Sequence, residues 1–190
     1  MADVTVRATP DELLRLPDQG MGFELVDGEL KELDVSNESS QIGGEILFLL
    51  KAFVRPGQLG YVFMADNAFQ CFPDPETVRR ADVSFITADR LSPQEYRTPG
   101  HCRVCPDLVV EVVSPNDRMA EVIAKRKEWL AAGARLVWVV DPLDQTVHAY
   151  TPGGPARLLQ PGDVLTGEPV LPGFSVAVAE LFRPPVTPVG

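Results

Sequence analysis

The chain has 190 residues and carries 17 Lys and Arg against 27 Asp and Glu, a formal net charge of −10. That length predicts one domain, and 45% hydrophobic with 23% charged residues is ordinary globular usage, which excludes a chain disordered throughout. Such acidity opposes passive nucleic-acid binding, which gathers Lys and Arg against phosphates, and no apolar run reaches the roughly 18 residues of a membrane span.

The elements follow in chain order. Residues 1–5 lack the basic start and apolar stretch of a secretory signal, so a cytoplasmic protein is expected. Thr9, Pro10 and Glu12 form a capping-box signature for a short first helix. Asp27-Gly28 between two strand-like runs predicts a type I′ hairpin over residues 23–33. Ile42, Ile46, Leu47, Leu50, Phe53 and Val54 recur at helical spacing, so residues 39–54 form an amphipathic helix whose Gly43 and Gly44 weaken it or admit a close neighbour. Residues 60–65, 68–72 and 78–86 read as strands of an antiparallel meander, and 87–105 as a loop. Residues 107–113, nearly all apolar, predict a strand buried on both faces. A helix from Ser114 to about Ala132, closed by Gly133, leads to a second buried strand at 135–140 and its hairpin partner at 147–150. The fold class is therefore α+β: a mixed sheet, mostly antiparallel, with a βαβ crossover helix and N-terminal helices. Residues 1–182 make the domain, and 183–190 a proline-rich tail.

The informative oddity is Glu111 in Leu108-Val-Val-Glu-Val-Val113, a carboxylate in a strand that should be buried. Such a group is costly to desolvate without a partner charge, an ion or hydrogen bonds. Asp82, in Arg79-Arg-Ala-Asp-Val-Ser-Phe-Ile86, is a second acid in similar surroundings. If the two strands are neighbours, the carboxylates repel, and a divalent cation relieves this. Hard oxygen donors suit Mg²⁺ or Mn²⁺. The bland alternative pairs both acids with Arg79, Arg80 or Arg103. Lys125 shares a helix ridge with Arg118, Val122 and Trp129; its ammonium either snorkels to water or points toward Glu111.

Four blocks of this sequence resemble a family. Residues 23–30 (Phe-Glu-Leu-Val-Asp-Gly-Glu-Leu), 81–86 (Ala-Asp-Val-Ser-Phe-Ile), 106–115 (Pro-Asp-Leu-Val-Val-Glu-Val-Val-Ser-Pro) and 125–142, which carries Trp-Leu-Ala-Ala-Gly-Ala-Arg-Leu-Val-Trp-Val-Val-Asp-Pro, are similar to the Uma family of restriction-endonuclease-like proteins, within the PD-(D/E)XK nuclease superfamily. The resemblance spans about residues 9–182. It implies a restriction-endonuclease-like core and Mg²⁺- or Mn²⁺-dependent hydrolysis of DNA, with Asp82 and Glu111 as metal ligands. Val113 stands where the superfamily pattern has its lysine, and Lys125 matches the family's lysine on the following helix. Glu24 matches an early family glutamate, a further ligand or a water-orienting base. Family analogy also makes a homodimer the expected assembly. Arg55, Arg79, Arg80, Arg97, Arg103 and Arg118 are candidates to line a substrate path. The competing reading is a non-catalytic dimeric interaction or regulatory module on the same fold, favoured by the acidity and the displaced lysine.

Other signals are weaker. Cys71, Cys102 and Cys105 with His101 offer zinc-ligand types, but one CxxC without a second pair reads as packed thiols, and an odd count gives no disulfide framework. His148 alternates in a strand, and Ser114 before Pro115 lacks a nucleophile elbow.

Overall fold

The computed structural model describes residues 6–184; residues 1–5 and 185–190, with most of the expected tail, lie outside the described residues. Helix α1 (Pro10–Arg15) starts at the Thr9–Glu12 capping box, closed in both directions. A 3₁₀ turn, Pro17–Gly20, leads to the hairpin of β1 (Phe23–Val26) and β2 (Glu29–Glu32). Asp27 and Gly28 have φ of 51° and 76°, the two left-handed residues a type I′ turn requires.

Helix α2 (Asn37–Gly57) is longer than its apolar spacing predicts because Ser36 caps it through Ser39. It lays Ile42, Ile46, Leu50 and Val54 on the sheet, each worth about 1.5–3 kcal/mol of burial. Strand β3 (Gly60–Met64) follows, then two two-residue strands, β4 (Ala68–Phe69) and β5 (Arg79–Arg80), that pair with each other outside the main sheet, β4 also bridging to Cys102. The expected meander is thus broken. Residues 78–86 are not one strand: after β5 the chain steps across Ala81 and Asp82 before β6 (Val83–Thr87) pairs with β3. The segment taken as loop at 87–105 holds one short helix, α3 (Pro93–Arg97), capped by Ser92.

Strand β7 (Leu108–Val112) is buried at every position. The crossover helix α4 (Met119–Ala132) begins five residues later than Ser114, because Ser114–Asp117 closes a turn in which the Asp117 carboxylate accepts from the Ser114 N–H at 2.7 Å. Arg118 is therefore its N-cap and not part of the ridge. Gly133, at φ 112°, ends the helix as expected. Strands β8 (Leu136–Asp141), β9 (Thr146–Tyr150) and β10 (Arg157–Leu159) complete a six-stranded sheet in the order β10-β9-β8-β7-β6-β3. Only β7 and β8 are parallel, joined through α4; the other neighbours are antiparallel. A hairpin of β11 (Val164–Thr166) and β12 (Ser175–Ala177) and a last turn, α5 (Val178–Leu181), close the domain.

The two faces of the sheet bury different partners. Val83, Phe85, Leu108, Val110, Val112, Trp138 and Val140 pack against α2 and the C-terminal hairpin. Val109, Val137 and Val139 face α4 through Trp129 and the segment carrying Phe69 and Cys105. Glu111 has the parity of Val109 and so belongs to the α4 side.

Candidate active site

The step between β5 and β6 is what forms the site. Antiparallel pairing sets Val83 opposite Val110 and Ser84 opposite Val109, so Asp82 stands next to Glu111 across the strand boundary. Asp82 Oδ2 accepts the Val112 N–H at 2.6 Å, and among the described residues its Oδ1 takes no hydrogen bond. Helix α2 passes directly over it: a Cβ on Gly43 would lie 4.0 Å from the Asp82 Cβ. The same helix is tied to the far end of β7 by the Ser39 and Ser114 hydroxyls, 3.0 Å apart.

Lys125 reaches in from α4. Its Nζ lies 2.9 Å from Glu111 Oε2 and 3.0 Å from Glu24 Oε1. Glu111 Oε1 accepts the indole N–H of Trp129 at 2.7 Å. Glu24, on β1 and only 2% exposed, also accepts the Arg80 N–H at 2.6 Å through Oε1 and Arg79 Nη1 at 3.0 Å through Oε2. The four side chains singled out by sequence, Glu24, Asp82, Glu111 and Lys125, thus converge from β1, the β5–β6 step, β7 and α4.

The electrostatics follow from burial. Loss of water pushes the Glu111 carboxyl up to about 8, against the pull of Lys125 and with the help of the negative charges of Asp82 and Glu24. Burial likewise raises Asp82, opposed by Lys125 and the Val112 N–H. Glu24 goes the other way: Lys125, Arg79 and the Arg80 N–H outweigh its burial and hold it below the usual range. The acids around Lys125 raise its ammonium above the ordinary lysine value despite burial.

Several expectations are revised. Among the described residues neither Asp82 nor Glu111 is paired with an arginine. Arg79 instead binds Glu24 and, at 2.6 Å, Glu128. Arg80 is buried against the backbone carbonyls of Phe23, Asp66, Gln19 and Gly20. Both are withdrawn from any substrate path. The acid that does conform to the bland reading is Asp107, fully buried and held by Arg90 at 2.7 Å, Arg135 at 3.5 Å and the Thr87 N–H. The three cysteines are free, and burial raises the Cys102 thiol while the Cys105 contact and burial raise Cys71, as packed thiols behave. Trp129 lies on the Lys125 ridge as its spacing predicts, but its hydrogen bond to Glu111 and the ion pair of Glu128 with Arg79 are contacts that only the structure shows. Their signal was spacing: residues 125, 128 and 129 fall on one helical face.

A divalent cation fits this donor set. With every group ionised, Glu24, Asp82, Glu111 and Glu128 outnumber Lys125 and Arg79 by two charges. Among the described residues no group of three or more His, Cys, Asp or Glu could hold an ion. Two carboxylates, with other positions left to water and substrate oxygens, is nevertheless the pattern by which Mg²⁺ is ordinarily held.

Comparison with known proteins agrees with this architecture. The model of the Uma2 family, described as "Putative restriction endonuclease", matches residues 10–179. The chain belongs to the Uma2 family. Its fold is that of the crystal structure of "a putative nuclease belonging to DUF820" from Anabaena variabilis ATCC 29413, with a TM-score of 0.77 at 21% identity, covering 92% of this chain and 97% of that one. None of the curated proteins matches. In this Uma2 member the ammonium beside Glu24 and Glu111 is supplied by Lys125 of the crossover helix and not by strand β7. Among the described residues no helix is long and apolar enough to cross a membrane.

Proposed function

We propose that this Uma2 protein is a divalent-cation-dependent nuclease hydrolysing DNA phosphodiester bonds, with Asp82 and Glu111 as the ligands of Mg²⁺ or Mn²⁺. The observation that carries the reading is the placement of two carboxylates side by side at a strand boundary, both raised by burial, with a lysine ammonium as the only cationic side chain paired with Glu111 among the described residues. Asp82 and Glu111 would hold the cation, which would supply Lewis-acid polarisation of a phosphoryl oxygen. Lys125 holds its ammonium beside Glu111, where it orients the attacking water or stabilises charge developing on the phosphoryl group. Both oxygens of Glu24 are engaged, so its part is to hold Lys125 at its station and not to act as a base. The description of the family and the name given to the Anabaena protein both support nuclease chemistry. The outermost strands, β3 and β10, each have a neighbour on one side only, which supports the homodimer through edge pairing.

The test is cleavage of plasmid DNA by the purified protein with Mg²⁺ or Mn²⁺. Asp82→Asn, Glu111→Gln and Lys125→Met should each lower the rate by on the order of 100-fold or more. Cleavage that survives all three together, or that proceeds unchanged in a chelator, overturns the proposal.

The second reading, a non-catalytic module, draws on one feature: Lys125 already occupies Glu111 Oε2 from within the protein, at 2.9 Å. Calorimetric titration with Mn²⁺ separates the two. The nuclease binds the ion and its Glu111→Gln variant does not, whereas the module binds it in neither form.

A further inference from the structure

We infer that Arg79 is a positioning residue of this site: it fixes Glu24, and through Glu24 the Lys125 ammonium, with Glu128 as its second anchor. The inference rests on the reading above, in which Lys125 acts at the phosphoryl group.

The geometry is a closed ring. Lys125 and Glu128 are three residues apart on α4, hence neighbours on one face. Lys125 Nζ meets Glu24 Oε1 at 3.0 Å, Glu24 Oε2 meets Arg79 Nη1 at 3.0 Å, and Arg79 returns to Glu128 Oε2 through Nη2 at 2.6 Å and Nε at 2.8 Å. Arg79 is 7% exposed, so it is a link within the protein and not a substrate contact. Its planar fork spans two carboxylates at once, which a lysine, a point charge on a flexible stem, cannot do.

Arg79 divides the duties of the Glu24 oxygens. With Oε2 committed to the guanidinium, only Oε1 is presented to Lys125, and it is shared with the Arg80 N–H. The ammonium is then balanced between Glu24 and Glu111 at nearly equal distances. Without the guanidinium, Oε2 becomes a buried acceptor lacking the only donor it has among the described residues, and the donors left on this carboxylate are the fixed Arg80 N–H and the movable Lys125 ammonium. The carboxylate turns, and the ammonium is drawn from Glu111 toward β1. Displacements of about 1 Å at a reacting centre change rates by up to about 100-fold.

A readout independent of DNA cleavage is available. The chain has four lysines, at positions 31, 51, 125 and 127. Among the lysine ion pairs of the described residues, only those of Lys125 are with buried carboxylates, Lys31 pairing with Glu29 at the exposed surface. Its ammonium should give a ¹H–¹⁵N resonance protected from solvent exchange, assigned by its loss in Lys125→Arg. In Arg79→Met that resonance should shift and exchange faster, and kcat for plasmid cleavage should fall on the order of 10- to 100-fold with KM unchanged. Arg79→Lys should restore part of both. Glu128→Gln, at the half-buried end of the ring, should move both in the same direction by less, and it decides the matter if Arg79→Met does not fold. An unmoved Lys125 resonance in these variants, or a moved resonance with undiminished kcat, overturns the inference. If the unaltered protein cleaves nothing and the resonance still moves, the nuclease reading alone falls, while the hold of Arg79 on Lys125 is supported.

Discussion

Glu111 couples acidity to stability and, on the proposed function, to ion binding. Burial raises its carboxyl from 4.5 to about 8, so between those values the folded protein binds a proton that the unfolded chain has released. This contribution to stability is present at low pH and is lost as pH rises through about 8. Asp82, also raised, adds in the same direction, and Glu24, lowered, opposes it at more acidic pH. Thermal melts in chelator should therefore fall in midpoint from pH 6 to pH 9, and Mn²⁺ should lessen the fall because the ion takes the place of the proton. Melting that stays level or rises over that range in chelator, in Glu111→Gln and the parent alike, would count against this assignment. Glu111 was visible in the sequence because a carboxylate among valines has few physical explanations. Arg79 was visible only as a generic partner, since its actual acids are Glu24 and Glu128, which only the folded chain brings to it.

At the scale of elements, the β1–β2 hairpin decides where Glu24 points. Glu24 pairs with Lys31 in a register set by the Asp27-Gly28 turn. A slip of one residue would turn Glu24 away from Lys125. At Gly28, with φ +76°, an added Cβ would lie 2.7 Å from Glu76 Oε2 and 3.0 Å from Arg7 Nη2. Gly28→Ala should then cost about 1–2 kcal/mol, a drop of roughly 2–8 °C in melting midpoint for a chain of this size; an unchanged midpoint would show the turn to be less constrained than its φ implies. Turn and helix C-cap were legible in the sequence because Asp-Gly and Gly133 carry local backbone requirements. The break at Ala81–Asp82 was not, because residues 78–86 have strand composition throughout. What ends β5 is tertiary: Arg79 and Arg80 are claimed by groups from β1, α4 and the 3₁₀ turn. The late start of α4 was hidden for a similar reason, as the Ser114–Asp117 turn forms from residues that would equally cap a helix.

For the whole molecule, the net charge of −10 and a DNA substrate have to be reconciled. An acidic body repels a polyanion at long range, and with Arg79 and Arg80 buried the cationic lining expected from the sequence is reduced. On the proposed function, a cation at the site would be part of what makes DNA approach favourable. Binding of a short duplex at about 0.15 M salt should be undetectable in chelator and should appear with Ca²⁺, an ion of the same charge, in a gel-shift or anisotropy titration. Tight binding in chelator would place the DNA contacts elsewhere on the surface. The βαβ crossover and the hairpin that follows it were legible from two buried strands joined by a helix, whereas the order of the remaining strands came from the structure.

The indole N–H on Glu111 has an optical consequence. Trp129 is buried, in contact with Phe69 and Phe72, and its ring nitrogen touches the carboxylate assigned to the ion. The chain therefore carries a native fluorophore at that spot. With Trp138, the other tryptophan, replaced by Phe, ultraviolet emission becomes a label-free gauge of what Glu111 is bound to.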